Sequence, residues 1–264
     1  MTAGSQPDAD RSRPDLQVGR DHYSYSVYAD PAMAEAFDAL RFGGPIGRAI
    51  AETQERVIAE FLGPLTGRTI LDVGTGTGRA AIALAARGAR VTAVDASAEM
   101  LAVAERRARD GHVAVTFARG DVHGLTFAAQ SFDAVVCLRV LMHTPDWRRS
   151  LAELCRVARE RVVFDYPALA SAAALQAIAR RIVHAFGARV EAYRVFSDRE
   201  IRSALRESGF RVAGSHRQFV LPIAFHKKLA SPSTTGAIES ALARVGLTGL
   251  AGSPVTIVAE RCAS

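Results

Sequence analysis

The chain has 264 residues, 49% of them hydrophobic and 23% charged, with a formal net charge of +6. That length buries one sizeable core, and the composition is that of a globular protein rather than a fibrous or disordered one. No apolar run reaches the roughly 20 residues of a membrane-spanning helix, so no such helix is expected.

The first twenty residues are polar, carry both charge signs and lack the apolar stretch of a signal peptide. They read as a disordered tail, 1–20, on a cytoplasmic protein. Residues 21–66 read as an N-terminal helical cap. Asp30-Pro31 is a helix start, an N-cap followed by proline at the first position. That helix runs to Phe42, Gly43-Gly44-Pro45 breaks it, and a second covers Gly47 to Leu62, ended by Gly63-Pro64.

A regular alternation follows over 67–264. Strands are expected at Arg68–Val73, Arg90–Asp95, Val113–Ala118, Ser131–Leu138 and Arg161–Tyr166, then Phe210–Phe219 and Pro254–Glu260. Helices intervene over Thr77–Arg87, Ser97–Asp110, from Asp146, over Leu169–Phe186, and from a capping box at Ser197–Glu200 to Gly209. Such alternation predicts an α/β fold, a doubly wound, mostly parallel seven-stranded sheet with helices on both faces. Right-handed crossovers gather the C-terminal strand ends at one edge, where ligands bind. A long connection, 221–253, separates the last two strands. It opens with an apolar run ending in His226-Lys227-Lys228, the only lysines in the chain. It is expected either to form a lid or side wall, with its basic cluster meeting an anionic head group or lipid surface, or to pack on the core with its lysines in solvent.

The excess positive charge raises nucleic acid as a partner. Nearly all of it is arginine interleaved with acids, as over Glu105–Asp110, so nucleic acid is not expected. Cys137, Cys155 and Cys262 have no metal-ligand spacing and form no even disulfide set. Cys137 and Cys155 read as core thiols, and no metal site is expected.

The most informative stretch is Leu71-Asp72-Val73-Gly74-Thr75-Gly76-Thr77-Gly78. Glycines at every second position turn a buried strand into a helix and bring bare N–H groups against a ligand. The spacing is not the G-x-G-x-x-G of a dinucleotide site, since Arg79 stands where the third glycine would be. No Gly-Lys-Ser/Thr follows, which excludes a P-loop. Asp95 ends the second strand, about 20 residues on, where an acid accepts hydrogen bonds from ribose hydroxyls. Met100 lies one helical turn later, and Gly120-Asp121-Val122 follows the third strand.

Asp72, Gly74, Gly76, Gly78, Asp95, Asp121 and the segment Phe132–Val136 occur in an order and at distances that resemble the class I S-adenosylmethionine (SAM)-dependent methyltransferases. Within that class they look like the small-molecule enzymes related to those of ubiquinone and menaquinone synthesis, and the resemblance covers roughly residues 68–167. It implies a Rossmann-like SAM-binding domain that releases S-adenosylhomocysteine. It places the methionine end on the glycines, the ribose on Asp95, the adenine between Met100 and Asp121, and Tyr28, Ala96, Val122 and Leu138 around them. The acceptor implied is a small, fairly apolar molecule methylated on oxygen, carbon or nitrogen, such as a quinone, polyketide or lipid precursor. His143, after the fourth strand, is either a general base or a partner of the loop backbone. Arg139 either binds an acceptor carboxylate or phosphate or pairs with a nearby acid. Tyr166 is either a catalytic contact or buried against the next helix. Tyr23, Tyr25 and His226 are candidates for the acceptor pocket. A non-catalytic SAM sensor or partner subunit and an RNA methyltransferase are the rival readings. Neither the acceptor nor the oligomeric state has a sequence signature.

Overall fold

The computed structural model describes residues 30–172, 174 and 193–263. The expected tail, Tyr23, Tyr25 and Tyr28, and most of the expected helix 169–186 lie outside them. Seven strands form one sheet in the order β3-β2-β1-β4-β5-β7-β6. They are β1 (Thr69–Val73), β2 (Arg90–Asp95), β3 (Val115–Arg119), β4 (Phe132–Cys137), β5 (Ala158–Tyr166), β6 (Phe210–Phe219) and β7 (Ser253–Arg261). The first five are parallel, and β7 runs antiparallel between β5 and β6. The order reverses between β1 and β4, which opens a crevice at their C-terminal ends.

Among the described residues two helices precede the sheet, α1 (Pro31–Phe42) and α2 (Gly44–Leu62). Asp30 caps α1 by accepting the Ala32 N–H at 2.9 Å. Only Gly43 separates the two helices, a shorter break than Gly43-Gly44-Pro45 suggests. Pro45 sits in the first turn of α2, where its missing N–H has no intrahelical partner to lose. Then come α3 (Arg79–Ala85), α4 (Ala98–Asp110), α5 (Trp147–Val157) and α6 (Asp198–Glu207). Helix α3 starts two residues later than expected, because Gly78 before it adopts a left-handed conformation. Strand β5 starts three residues earlier than expected and follows α5 without a loop, since Ala158 pairs with Phe132.

The sheet separates two apolar layers. On one face Leu71, Val135, Cys137 and Phe164 pack with Trp147, Leu151, Leu154, Ile201 and Leu205 of α5 and α6. On the other, Ile70, Val136 and Val163 pack with Ile58, Leu62, Ala81 and Leu84 of α2 and α3. Each fully buried aliphatic side chain contributes about 1.5–3 kcal/mol, so the strands are held from both sides. Cys137 and Cys155 lie in this core, and burial pushes both thiols up.

The connection between β6 and β7 folds into α7 (Ile223–Leu229), α8 (Pro232–Arg244) and α9 (Leu247–Ala251). Its Ile223, together with Phe219, packs on Phe42, Ile46 and Ile50 of α1 and α2. Lys227 donates to the Leu40 and Arg41 carbonyls at 3.2 and 3.3 Å, capping the C-terminus of α1. Lys227 therefore braces a helix end rather than standing in a free basic cluster. Among the described residues, no helix is long and apolar enough to cross a membrane.

Candidate active site

A cavity of about 710 Å³ opens at the switch point between β1 and β4. Its floor is the glycine turn, and each glycine is required for its own reason. A Cβ on Gly74 would lie 2.2 Å from Val140 Cγ2, and one on Gly78 would lie 2.8 Å from the Ala104 Cβ in α4. Gly76 has φ +54°, and a Cβ there would meet nothing within 4 Å. That Cβ would project into open space at the floor, where a ligand can approach bare backbone. Alanine at Gly74 should destabilise the turn by about 1–3 kcal/mol and abolish ligand binding. A second change, Val140→Ala, should restore part of the lost melting temperature. Equal melting temperatures for the single and double variants would show that Val140 is not the obstacle.

Two carboxylates lie against this turn. Asp72, 2% exposed at the end of β1, accepts the Thr75 hydroxyl at 2.7 Å. Burial pushes its carboxyl up to about 6, against the smaller lowering effects of Thr75 and Arg79. Asp95, at the end of β2, accepts the Gly76 N–H at 2.8 Å with one oxygen and the Ser97 N–H at 2.9 Å with the other. Burial raises its carboxyl as well, and those backbone N–H groups oppose the rise. Asp95 thus ties the glycine turn to the start of α4, whose N-cap is Ser97. Met100, on the same helix, is 2% exposed and packs with Ala34, Val103 and Phe37. After β3, Asp121 accepts both the His123 N–H at 2.9 Å and a hydrogen bond with His123 Nδ1 at 2.7 Å.

Asp72, Gly74, Gly76, Asp95, Ala96, Met100, Asp121, Val122 and Leu138 all line this one cavity, as do Arg139 and His143. Gly78 packs beneath it on α4 rather than facing it.

Other residues of the site escape a reading of the sequence. Asp38 of α1 accepts the Thr77 hydroxyl at 2.8 Å and pairs with Arg107. Phe42 lies under two guanidiniums, Arg79 at 4.4 Å and Arg139 at 5.7 Å from the ring centre. Arg79 is held by Glu55 at 3.0 Å and by Gln54. The two threonines are visible within the glycine motif. Asp38, Phe42 and Gln54 come from helices distant in sequence and carry no local signal.

Arg139 has φ +61°, a left-handed backbone that is uncommon for a side chain of its size. Its N–H donates to the buried Asp165 carboxylate, which also accepts from Gln54 at 3.4 Å. Burial raises the Asp165 carboxyl, while Arg139 and Arg79 act against that. His143 sits in a 3₁₀ turn, Leu141–His143, and is 8% exposed.

Two expected positions lie elsewhere. Tyr166 points to the opposite face of the sheet, packed edge-on against Phe196, with its hydroxyl on Asp198 at 3.0 Å. Strand alternation explains this, since Asp165 takes the α2 face and Tyr166 the α5 and α6 face. Burial pushes the Tyr166 hydroxyl up, and Asp198 adds to the rise. His226 has no exposed surface and bonds Glu239 at 2.8 Å inside the β6–β7 connection. No residue of 221–253 lines the cavity, and the connection packs on the α1–α2 wall.

The sheet order and the site at its switch point define the fold of the class I methyltransferases. Residues 70–161 match the family model described as a methyltransferase domain. The demethylmenaquinone methyltransferase of Thermobifida fusca is 39% identical over 129 residues, which cover 48% of this chain and 54% of that protein. The chain spans between about a third and about half of the length of the curated relatives it matches. The magnesium protoporphyrin IX methyltransferase of Synechocystis with bound SAM superposes with a TM-score of 0.59 at 19% identity, covering 96% of this chain and 99% of that one. The [4+2]-cyclase SpnF has the same fold, with a TM-score of 0.57 at 19% identity over 80% of this chain and 81% of its own.

Proposed function

We propose that the protein binds SAM in this cavity and transfers its methyl group to a small, largely apolar acceptor of the quinone, polyketide, porphyrin or lipid-precursor kind. One observation carries this reading. The ends of β1, β2 and β3 bring Gly74–Gly76, Asp95, Met100 and Asp121 to one cavity of about 710 Å³. The donor set fits such a ligand, which presents an ammonium, a ribose diol and an adenine. Asp72 would supply negative charge for the cationic end, Asp95 would accept the ribose hydroxyls, and Asp121, oriented by His123, would meet the adenine amino group. Open space above Gly76 gives the ligand a place against the backbone.

Bound SAM supplies an activated methyl on a sulfonium that leaves as a neutral thioether. The leaving side therefore needs no acid, and the protein's task is on the acceptor side. Phe42 and Val140 give that side an apolar wall, and Arg139 and Arg79 give it positive charge. Positioning alone lowers such a barrier by about 7–11 kcal/mol. His143 would take a proton from a hydroxyl acceptor. On that assignment His143→Gln should lower turnover about 100-fold and leave SAM affinity unchanged. Equal turnover by His143→Gln would return the residue to a loop-holding role.

Isothermal titration tests the reading directly. SAM and S-adenosylhomocysteine should bind, NAD should not, and binding of NAD alone would overturn it. The cyclase neighbour favours testing transfer itself, because one fold serves several reactions. Methyl transfer to any member of a quinone, porphyrin and polyketide panel separates an enzyme from a SAM-binding sensor.

A further inference from the structure

Helices α7 to α9 have an unusual surface. Seven large hydrophobic residues are exposed among the described residues, and five of them lie here: Phe225, Leu229, Val245, Leu247 and Leu250. Leu247 and Leu250 are 38% and 70% exposed and lie three residues apart on α9, which buries no side chain. Phe225 and Leu229 lie four apart on α7 and so share a face. Helix α8 buries only Thr235 and packs on both α7 and α9, which joins the three into one unit. A helical surface this apolar calls for something to cover it.

The charges indicate what that is. Between Ile223 and Ser253 there are four charged side chains, Lys227, Lys228, Glu239 and Arg244. Glu239 is 11% exposed and points inward, where it accepts the Val220 and Leu221 N–H groups and bonds His226. Every solvent-facing formal charge of the unit is therefore positive. Elsewhere among the described residues a dozen arginines pair with acids, as in Arg106–Glu35, Arg107–Asp38 and Arg156–Glu153. A second copy of the same surface would meet it with like charge, which disfavours a two-fold contact. Nucleic acid would use the cations and leave the leucines and Phe225 in water. An anionic bilayer surface satisfies both, with cations at the head groups and apolar side chains beneath them.

We propose that α7–α9 form a docking face for anionic membrane surfaces. The unit leaves and re-enters the sheet at the edge that holds the cavity, and it packs on the helices that carry Phe42. A docked protein would thus hold its cavity close to the layer in which apolar molecules dissolve. The inference stands apart from the SAM reading, because nothing in it depends on what fills the cavity.

Sedimentation of the full chain with vesicles tests it. The protein should pellet with phosphatidylglycerol-containing vesicles at low salt and stay in solution with phosphatidylcholine alone. The pair Lys228→Gln and Arg244→Gln should weaken the anionic partition about 30-fold, from about fivefold per cation. The pair Leu247→Ser and Leu250→Ser should bring it to background. These side chains lie outside the cavity, so both double variants should keep the melting temperature and ligand affinity of the parent protein. Failure to pellet with anionic vesicles, equal pelleting with neutral ones, or a dimer that dissociates in the leucine variants would overturn the proposal.

Discussion

Replacing Asp95 with alanine should weaken SAM binding by about 10²–10⁴-fold, with Asp95→Asn falling between. Two charge-assisted hydrogen bonds to a diol contribute about 1.5–3 kcal/mol each, and both disappear with the carboxylate. A second effect adds to this. The same carboxylate holds the Gly76 and Ser97 N–H groups, so its removal also loosens the glycine turn and the start of α4. Calorimetry with SAM and with adenosine separates the two contributions. Loss confined to the ribose would weaken both ligands equally, whereas a loosened turn would penalise SAM further. Affinity within threefold of the parent protein would reduce Asp95 to a helix-start residue.

Asp72→Asn should move stability and affinity in opposite directions. Burial raises the folded-state carboxyl to about 6 from an ordinary 3.8. Well below pH 3.8 it is neutral in both folded and unfolded chains and has no effect on the balance. As pH rises toward 6 the unfolded chain ionises first, so folding stability falls, and above 6 the full penalty of about 3 kcal/mol is present. Asparagine keeps an acceptor for Thr75 without the charge. The melting temperature of Asp72→Asn near neutral pH should rise by about 5 °C. A cationic ligand favours the ionised carboxylate, so SAM affinity in the parent protein should climb from about pH 5 to about pH 7. The Asp72→Asn variant should lose that slope together with at least about tenfold in affinity. A variant that binds as tightly as the parent, with the same slope, would place the cationic end of the ligand elsewhere.

What could be read in advance divides by distance along the chain. The β1 turn, Asp95 and Asp121 were legible because each sits at the end of a strand whose apolar run marks it, and parallel topology brings strand ends together. The seven strands were recovered for the same reason, with boundaries shifted by up to three residues. Asp38, Phe42 and Gln54 were not legible. They lie on amphipathic helices whose pattern shows which face is buried but not what it is buried against. Tyr166 shows a different failure. The strand end was right, but a period of two leaves neighbouring residues on opposite faces, and only the packing of α2 against Asp165 decides between them. His226 looked available beside two lysines, yet its partner Glu239 lies a helix away, and the pairing exists only once α7 and α8 fold together.

The contact between Lys227 and the end of α1 joins residues 187 and 186 positions apart. Helix α1 places Phe37, Asp38 and Phe42 on the cavity wall and rests its last carbonyls on the neighbouring unit. Whatever orders α1 from one side therefore reduces what remains to be ordered from the other. Thermodynamic linkage makes such an effect reciprocal. If a bilayer tightens the hold on SAM by some factor, SAM must tighten the hold on the bilayer by the same factor. The protein would then dwell at the membrane longest when it is loaded and ready to react.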